Sequence, residues 1–254
     1  MRRLTPTRAR APGLSRDGLE SWLLAHPPAS LVPLADRLLI AAVDRTRAEG
    51  PTLAKNSLPH LVTAAQHPEA ATQLTTLAVC LACADDLGHD SPDLRFSLAV
   101  ISKAVNVDAF AEPFRCTSRY WLWRAALRAE APTIVDDDAP ADRLLAFMFH
   151  SHRVLFASGY GKDPVSGNAA TGLEQAMQLV DLDDGDQVAL LLLCFACVTP
   201  KPNVGPLLAK LGTLQVKNGS LRTRLEDPVA RHHAVCVAAL ACSLLFERAN
   251  APNK

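Results

Sequence analysis

Residues 214–245 read LQVKNGSLRTRLEDPVARHHAVCVAALACSLL, and this stretch decides the predicted fold. Leucines spaced three or four residues apart lead up to Gln215, and the Asn-Gly-Ser at residues 218–220 is typical of a tight turn. Asp227 and Pro228 then predict a helix start, because aspartate caps the first backbone amides and proline fits the first helical position. The run that follows is rich in alanine and leucine. We therefore expect two helices joined through a turn, with the second one buried.

The rest of the chain carries the same helical pattern. No run of alternating apolar and polar residues lies between hairpin turns, so no strand is predicted. The composition breaks clearly only at APTIVDDDAP, residues 131–140, which we interpret as a loop because both flanks are helical. Apolar spacing and capping residues predict helices over about residues 30–50, 69–87, 91–105, 112–130, 140–158, 171–180, 184–198, 207–215 and 227–248.

We expect about ten or eleven helices in all, these nine included, and the short loops between them favour antiparallel helical pairs in an all-α fold. Residues 14–254 are expected to form a single domain, with the architecture of an α/α toroid or a partial toroid. The arginine-rich residues 1–13 are interrupted by prolines and contain no apolar run. We therefore expect them to be a mobile tail rather than a secretory signal.

The amino-acid composition argues against some binding partners and favours one cellular compartment. Basic and acidic residues number 26 each, and this balance argues against nucleic acid as a partner. No uncharged apolar stretch is long enough for a membrane span, and residues 234–246 are interpreted as a buried helix. Seven cysteines without a secretory signal favour a reducing compartment, so we expect a cytoplasmic protein. The preference for alanine and arginine suits a bacterial source with a GC-rich genome.

Two segments resemble a known group of helical proteins. A helix ending at Gln215, the turn at residues 218–220 and the alanine- and leucine-rich helix after it are similar to the repeat of α/α-toroid proteins. This group contains terpenoid cyclases and protein prenyltransferase β-subunits. Residues 181–184, Asp-Leu-Asp-Asp, resemble the aspartate motif of class II terpene cyclases. The resemblance covers about residues 180–245, and it implies a toroid fold and a catalytic acid at Asp183.

The low aromatic content limits what this resemblance implies about the reaction. A pocket that stabilises carbocations is walled by aromatic rings, whereas only 5% of this chain is aromatic. We therefore take the toroid fold from the resemblance and not the terpene reaction. Asp183 remains a candidate acid, because a carboxyl group among other carboxylates in a dry pocket has a raised pKa. The competing interpretation makes Asp184 a helix cap and its neighbours favourable charges at a helix N-terminus.

Four histidines are candidate proton-transfer groups. His150 and His152 interrupt an apolar helix, and two positions apart they point in nearly opposite directions. His232 and His233 lie in the first turns of the last predicted helix and diverge by about 100°. In a toroid such a helix start faces the mouth of the cavity, so one histidine of each pair could act as a general acid or base. A purely structural role for each is the competing interpretation.

Three further residues are candidate substrate-binding groups. Tyr160 and Lys162 lie in a glycine-flanked loop that could cover the mouth of a pocket. Arg119 lies among aromatic residues, where it could hold an anionic substrate or lie on the exposed face of its helix. We assign Arg119 and Lys162 to anion binding and Tyr160 to the pocket.

An aspartate cluster and two CxxC pairs have spacings similar to metal-binding motifs, but neither is predicted to bind a metal. Asp85, Asp86 and Asp90 have a spacing similar to a magnesium–diphosphate motif, but a glycine between them favours solvated acids at a helix end. The CxxC pairs at residues 80–83 and 194–197 lie in apolar helices, where cysteine packs as a small apolar residue. We expect no metal and no organic cofactor.

The leading functional hypothesis is a small-molecule biosynthetic enzyme of secondary metabolism. It would be of cyclase or lyase type, closing a ring or eliminating a group by acid–base chemistry on a small-molecule or carrier-bound substrate. The alternative is a non-catalytic helical-repeat subunit that binds and completes a partner protein or a second copy, since an incomplete ring leaves an apolar face. Walker, GxGxxG, GxSxG and HExxH motifs do not occur, which argues against the common nucleotide-binding and hydrolase classes.

Overall fold

The computed structural model describes residues 13–44, 47–128, 139–166, 169–200 and 202–246. Within these ranges the chain forms eleven α helices, two short 3-10 helices and no strand, which confirms the predicted all-α class. Residues 1–12 of the predicted tail and residues 131–138 of the predicted loop lie outside the described residues. The helices are α1 Arg16–Ala25, α2 Leu31–Val43, α3 Gly50–Gln66, α4 Leu74–Asp86, α5 Pro92–Ala104, α6 Phe114–Arg124, α7 Arg143–Ala157, α8 Ala169–Leu179, α9 Gly185–Ala196, α10 Gly205–Leu214 and α11 Pro228–Phe246.

The predicted capping residues perform their expected role at several helix starts. The Ser91 hydroxyl accepts a hydrogen bond from the Leu94 amide, at 3.4 Å, at the start of α5. Asp184 accepts from the Asp186 amide at the start of α9, with Oδ1 and N 3.1 Å apart. Each bond satisfies a backbone donor that the helix itself leaves unpaired. The capping prediction at these two helices is confirmed.

The predicted helix over residues 30–50 is wrong after Val43. Helix α2 ends at Val43, and Gly50 begins α3 instead of ending the preceding helix. The proline that follows Gly50 explains the difference, since proline favours the first turn of a helix. Helices α1 and α3 were not predicted as separate elements.

The turn at residues 218–220 holds the start of α1. Gln215 receives a hydrogen bond from the Ser15 amide at 2.7 Å, and its own amide nitrogen donates to the Ser15 carbonyl at 2.9 Å. Gly219 has a φ of +91°, and a Cβ at this position would lie 2.1 Å from the Gly18 carbonyl oxygen. Only glycine fits such a close left-handed turn. The stretch that predicts the helical pair therefore also fixes a helix 200 residues earlier in the chain.

Helix α11 lies at the middle of the packing. It contacts α9 most extensively and also packs on α2 and α1. Small alanines along α11 allow this close approach, and residues 234–245 are all buried. Helices α2 and α11 run parallel, because His233 meets Asp36 near their starts and Ser243 donates to Asp44 near their ends, at 2.9 Å.

Helices α4, α6 and α7 also run parallel to one another. Thr75 and Ser118 hydroxyls are 2.7 Å apart near the starts of α4 and α6, and Asp86 pairs with Arg124 at their ends. Helices α6 and α7 are joined by the Thr117 hydroxyl and His152 Nδ1, 3.1 Å apart. Further along the same two helices, the rings of Tyr120 and Phe156 stack. The starts of these three helices therefore lie at one end of the molecule.

Helix α9 packs between α7 and α11. The Cys194 thiol lies 3.5 Å from the Ser151 carbonyl, and beyond the two helix ends Val165 and Val198 form a parallel backbone bridge. This bridge places the C-terminal ends of α7 and α9 together. Helix α1 contacts α11, and α3 contacts both α2 and α4. Helix α5 contacts α3 and α4, α8 contacts α7 and α9, and α10 contacts α9.

Among the described residues, one helix is long and apolar enough to cross a membrane. This helix is α11, which begins before the uncharged apolar run over residues 234–246 because its first turns include Arg231, His232 and His233. The buried share of the apolar window is 72%, because the surrounding helices cover it. Burial of this kind is what the core helix of a helical assembly requires.

Candidate functional site

A cavity of about 50 Å³ lies between helices α2, α7, α9 and α11. Leucine, isoleucine and valine side chains form most of its wall, and two histidines, one carboxylate and one tyrosine supply its polar groups. His152 and His233 are two of the five acid–base candidates predicted from the sequence. The lining residues are Asp36, Leu39, Ile40, His152, Leu155, Tyr160, Leu190, Leu193, His233, Cys236, Val237 and Leu240.

His233 is held in its protonated form by two carboxylates. Its Nδ1 lies 3.0 Å from Asp36 Oδ1, and its Nε2 lies 3.9 Å from Asp186 Oδ1. Burial alone would lower the pKa of His233, but Asp36 and Asp186 raise it to about 10. The ring still exposes 40% of its side-chain surface and lines the cavity. His233 therefore carries a positive charge at the cavity wall throughout the neutral pH range.

The two carboxylates around His233 come from different helices. Asp36 Oδ2 and Asp186 Oδ1 are buried and have no hydrogen-bond partner among the described residues. Burial raises the pKa of Asp186, and the charges of Asp184 and Asp36 add to this effect, while His233 opposes it. Unpartnered carboxylate oxygens favour a nearby positive charge, which is why the imidazolium form of His233 is stabilised.

His152 has the opposite electrostatic environment. Burial lowers its pKa to about 4, and the charge of His233 contributes to the lowering. His152 is therefore neutral at neutral pH, although it belongs to the same cavity as a charged histidine. A pair of like groups with pKa values pushed apart is typical of an assigned acid and an assigned base.

Thr117 contacts both the Pro113 carbonyl and His152 Nδ1. Its hydroxyl donates to the Pro113 carbonyl, 3.0 Å away. In that arrangement Oγ1 accepts at its contact with His152 Nδ1, at 3.1 Å, which selects the tautomer with hydrogen on Nδ1. Nε2 then keeps a free lone pair. This nitrogen is the proton acceptor that the cavity offers.

Tyr160 closes one side of the cavity from a strained loop. It has a φ of +56°, between Gly159 and Gly161, which are also left-handed. A bulky residue in this region is uncommon, and such strain is typical of functional sites. Burial raises the pKa of Tyr160 well above its usual value, so its hydroxyl stays protonated. Lys162 fastens the loop by pairing with Asp86, with Nζ and Oδ2 3.1 Å apart.

Cys236 is the cysteine on the cavity wall, and it is not activated as a nucleophile. Burial raises the pKa of its thiol well above the usual range, and the charge of Asp36 adds to the effect. A reactive cysteine needs a lowered pKa to form a thiolate. The wall therefore offers proton transfer through imidazole groups and not covalent catalysis through sulfur.

The environment of Asp183 is the reverse of the predicted one. Its side chain is 88% exposed and pairs with Lys210, with Oδ1 and Nζ 2.8 Å apart. The hydrogen bond from Lys210 lowers the pKa of Asp183, so the predicted raised pKa is wrong. The prediction failed because the cap at Asp184 turns the preceding residue outward. The capping interpretation of this segment is the one that the geometry follows.

The other predicted site residues lie away from the cavity. His150 is buried with no partner for Nδ1 among the described residues, and His232 packs edge-on against Trp22 with Nε2 similarly unpaired. Burial lowers the pKa of both histidines. Arg119 pairs with Asp108 at 3.0 Å, on the outside of α6. Lys162 holds the Tyr160 loop instead of lining the wall.

Sequence reasoning missed Asp36 and Thr117 and treated Asp186 only as a helix-start charge. Asp36 had a detectable signal, because an acid within the apolar LVPLADRLLI needs a buried partner. Thr117 gave no signal, since its role depends on a contact with a residue 35 positions later. Neither pairing can be derived from local spacing.

Among the described residues, no three histidine, cysteine, aspartate or glutamate side chains are close enough to hold a metal ion together. The seven cysteines all lie in the described residues and form no disulfide there, and Cys80, Cys83, Cys194 and Cys197 are buried. Comparison of the chain with protein-family models, with curated proteins and with solved structures finds no match. The function therefore has to be argued from the geometry of the cavity.

Proposed function

We propose that this chain is an enzyme that performs acid–base chemistry in the cavity at the centre of an α/α toroid. Support for the toroid comes from the order of contacts, in which α2 packs on α4, α9 on α7 and α11 on both α9 and α2. Side-chain contacts join α6 to both α4 and α7. They complete a cycle of six helices, α2, α4, α6, α7, α9 and α11. Helices α3, α5, α8 and α10 each connect two consecutive members of this cycle along the chain, as the outer helices of a toroid do.

The observation that carries the proposed function is the pair of unlike histidines on one cavity wall. His152 is neutral and has Nε2 as a proton acceptor, while His233 is charged, with Nδ1 on Asp36 and Nε2 facing Asp186, and supplies a positive charge at the cavity wall. Such a pair suits abstraction of a proton next to a carbonyl group. The electron pair of the resulting enolate then either forms a double bond as a β leaving group departs with its bonding electrons, or closes a ring by adding to an electrophilic carbon of the same substrate. His152 would take the proton, and His233 would stabilise the negative charge that forms on the carbonyl oxygen.

The coupling between the two histidines favours the transition state over the ground state. The charge of His233 is part of what lowers the pKa of His152 before reaction. Negative charge that develops on the substrate oxygen neutralises His233 electrostatically, so His152 becomes a stronger base as the reaction proceeds. An interaction that strengthens only during the reaction accelerates the chemical step.

Solvent deuterium incorporation tests this proposal without knowledge of the substrate. The protein is incubated in D₂O with a bacterial small-molecule extract, and mass spectrometry records compounds that gain deuterium or change mass. We expect wild-type protein and a His60→Gln variant, altered at an exposed histidine, to label the same compound. His152→Gln and His233→Gln should each lower the labelling rate by roughly 100-fold. Labelling that survives in both variants would exclude the proposed roles.

The alternative, a non-catalytic subunit that completes a partner, is favoured by the exposed apolar side chains. The largest exposures among the described residues include Leu24, Phe96, Phe114 and Leu225. A scaffold, however, has no need of a charged and a neutral histidine around a cavity in its core. The enzyme is therefore the better-supported function.

A further inference from the structure

The proposed reaction needs a hydrogen-bond donor that neither cavity histidine supplies. Negative charge that forms on a carbonyl oxygen is stabilised most by a donor held in place next to that oxygen. His233 is charged, but its Nδ1 lies on Asp36 and its Nε2 faces Asp186. His152 has its Nδ1 on Thr117, and its Nε2 is the proton acceptor. The donor must therefore come from another residue of the cavity wall.

One strong donor remains on that wall. Among the described residues that line the cavity, five carry polar or thiol side chains, namely Asp36, His152, Tyr160, His233 and Cys236. A carboxylate such as Asp36 only accepts, and the thiol of Cys236 is a weak donor. A phenol hydroxyl both donates and accepts, so Tyr160 is the residue of this set that can donate to a carbonyl oxygen.

The hydroxyl of Tyr160 is available to a bound molecule. It makes no hydrogen bond with a described residue, and it is not among the fully buried polar atoms that lack a partner. The hydroxyl therefore retains accessible surface, although the residue as a whole is only 8% exposed and lines the cavity. Burial raises the pKa of Tyr160, and the nearby charge of Asp36 adds to the rise, so the hydroxyl keeps its proton.

The loop around Tyr160 holds the ring in a fixed position. The Tyr160 amide donates to the Leu155 carbonyl at 2.8 Å, and the Gly161 amide donates to the Ser158 hydroxyl at 3.0 Å. The ring also packs on Trp121, with their centroids 5.5 Å apart. A donor that is fixed before the reaction needs no reorganisation while charge develops.

The size of the cavity limits the reacting part of the substrate. Its volume is about 50 Å³, and each water-sized atom needs roughly 10–15 Å³ of such volume, so about four heavy atoms fit. A carbonyl group with its two attached carbons has this size. The rings of His152 and Tyr160 both pack near Phe156, with centroids 5.4 and 6.2 Å from its ring. A guest this small that meets one of the two groups lies close to the other.

We infer that Tyr160 is a catalytic residue whose hydroxyl donates a hydrogen bond to the carbonyl oxygen of the substrate, which presents a small carbonyl group with a hydrogen on the neighbouring carbon. This inference rests on the proposed function. His152 Nε2 takes the proton from that carbon, the electron pair of the C–H bond forms a C=C bond, and the C=O π pair moves onto oxygen. Tyr160 keeps its proton and shares it with the enolate oxygen. Return of a proton from His152 restores the carbonyl compound.

Acetone is a probe of the right size, and its exchange of hydrogen for deuterium tests the inference. Acetone labelled with ¹³C at the carbonyl carbon is titrated into the full-length protein in D₂O. NMR records the carbonyl signal and the deuterium that enters the methyl groups. We expect saturable binding and methyl exchange in the wild type, and no exchange above the buffer rate in His152→Gln.

Tyr160→Phe keeps the ring and removes the hydroxyl. We expect it to slow acetone exchange by roughly 100-fold, as for loss of one donor to an oxyanion. The affinity for acetone should fall by less than about tenfold, because a hydrogen bond to a neutral carbonyl adds little to binding. The carbonyl signal of bound acetone should move upfield relative to the wild type, since the hydrogen bond that withdraws electron density is lost.

Tyr120→Phe is the matched control. Tyr120 is a buried tyrosine whose ring centroid is 6.3 Å from that of Tyr160, and it does not line the cavity. Its loss of a hydroxyl should change neither the exchange rate nor the carbonyl signal. In Tyr160→Phe, titration of His152 near pH 4 and of His233 near pH 10 should be as in the wild type, which shows that the site is otherwise intact.

The outcomes separate this inference from the proposed function. Exchange that His152→Gln abolishes but Tyr160→Phe leaves at the wild-type rate would keep the function and overturn the inference. A carbonyl signal that depends on Tyr160, without methyl exchange, would support Tyr160 as the donor and refute the acid–base function. Wild-type protein that binds no acetone would overturn the inference, because the cavity would then not accept a carbonyl group.

Discussion

At the residue scale, the ionisation of His233 depends on Asp36. Asn at position 36 would remove one of the two negative charges that raise the pKa of His233 above its usual value. We expect Asp36→Asn to lower that pKa by at least one unit, measured by NMR titration of the imidazole signals between pH 5 and 11. His152 should titrate near pH 4 in the wild type and shift upwards when His233 loses charge. A pKa of His233 that stays near 10 in the variant would assign the stabilisation to Asp186 alone.

Thr117 provides a second prediction at the same scale. Thr117→Val keeps the shape of the side chain but removes the acceptor for His152 Nδ1–H. We expect nitrogen chemical shifts of His152 to change from one tautomer, with hydrogen on Nδ1, to a mixture of two. Deuterium labelling should decrease without a change in the melting temperature of more than a few degrees. Thr75→Val, at a similar hydroxyl pair with Ser118, is the control and should leave the tautomer unchanged.

The residue scale also shows what the sequence can predict. The sequence predicts His152 as a histidine that interrupts an apolar helix and His233 as one at the start of the last helix, and the structure places both on the cavity wall. The sequence does not separate them from His150 and His232, since the hydrogen-bond partners, Thr117 for His152 and Asp36 for His233, come from other helices. Asp183 failed for a local reason, the cap at Asp184, whereas Asp36 was missed because its partner lies 197 positions away.

At the element scale, the start of α9 is positioned by Gly185. A Cβ at this residue would lie 2.5 Å from the Arg222 carbonyl oxygen, which also accepts the Gly185 amide hydrogen bond at 2.9 Å. Gly185→Ala would therefore push the helix away from the segment before α11 and draw Asp186 away from His233. We expect a loss of about 1–3 kcal/mol in the free energy of unfolding, measured with urea, and a lower pKa of His233.

Gly205→Ala is the matched control for this helix-start prediction. Gly205 begins α10, is exposed, and has only a flexible Asn203 side chain near the position of a Cβ, at 3.2 Å. Its replacement should be neutral or slightly stabilising, because alanine favours helices. A Gly185→Ala variant as stable as Gly205→Ala would show that the start of α9 can move freely.

The existence of helix α9 is predictable from its capping residue, whereas the register between α9 and α11 depends on the long-range contact of Gly185 with Arg222.

At the scale of the whole molecule, the two histidines make stability depend on pH in opposite directions. The pKa of His233 is about 10 in the folded chain and roughly 6.5 in an unfolded chain, so its stabilising effect is complete below about pH 6.5 and is lost as the pH rises towards 10. The pKa of His152 is about 4, so its effect is complete above about pH 6.5 and is lost as the pH falls towards 4.

The contribution of this pair to stability should therefore be greatest near pH 6.5, between the two folded-state pKa values. We expect urea unfolding of the wild type to show a free energy that declines from pH 6.5 to pH 9.5. His233→Gln should flatten this basic limb, whatever its effect on absolute stability, because the titrating group is gone. His152→Gln should leave the basic limb and make the acidic limb shallower. An unchanged basic limb in His233→Gln would mean that α2, α9 and α11 are not joined through a charged imidazole, and the assignment of acid and base in the central cavity would fall with it.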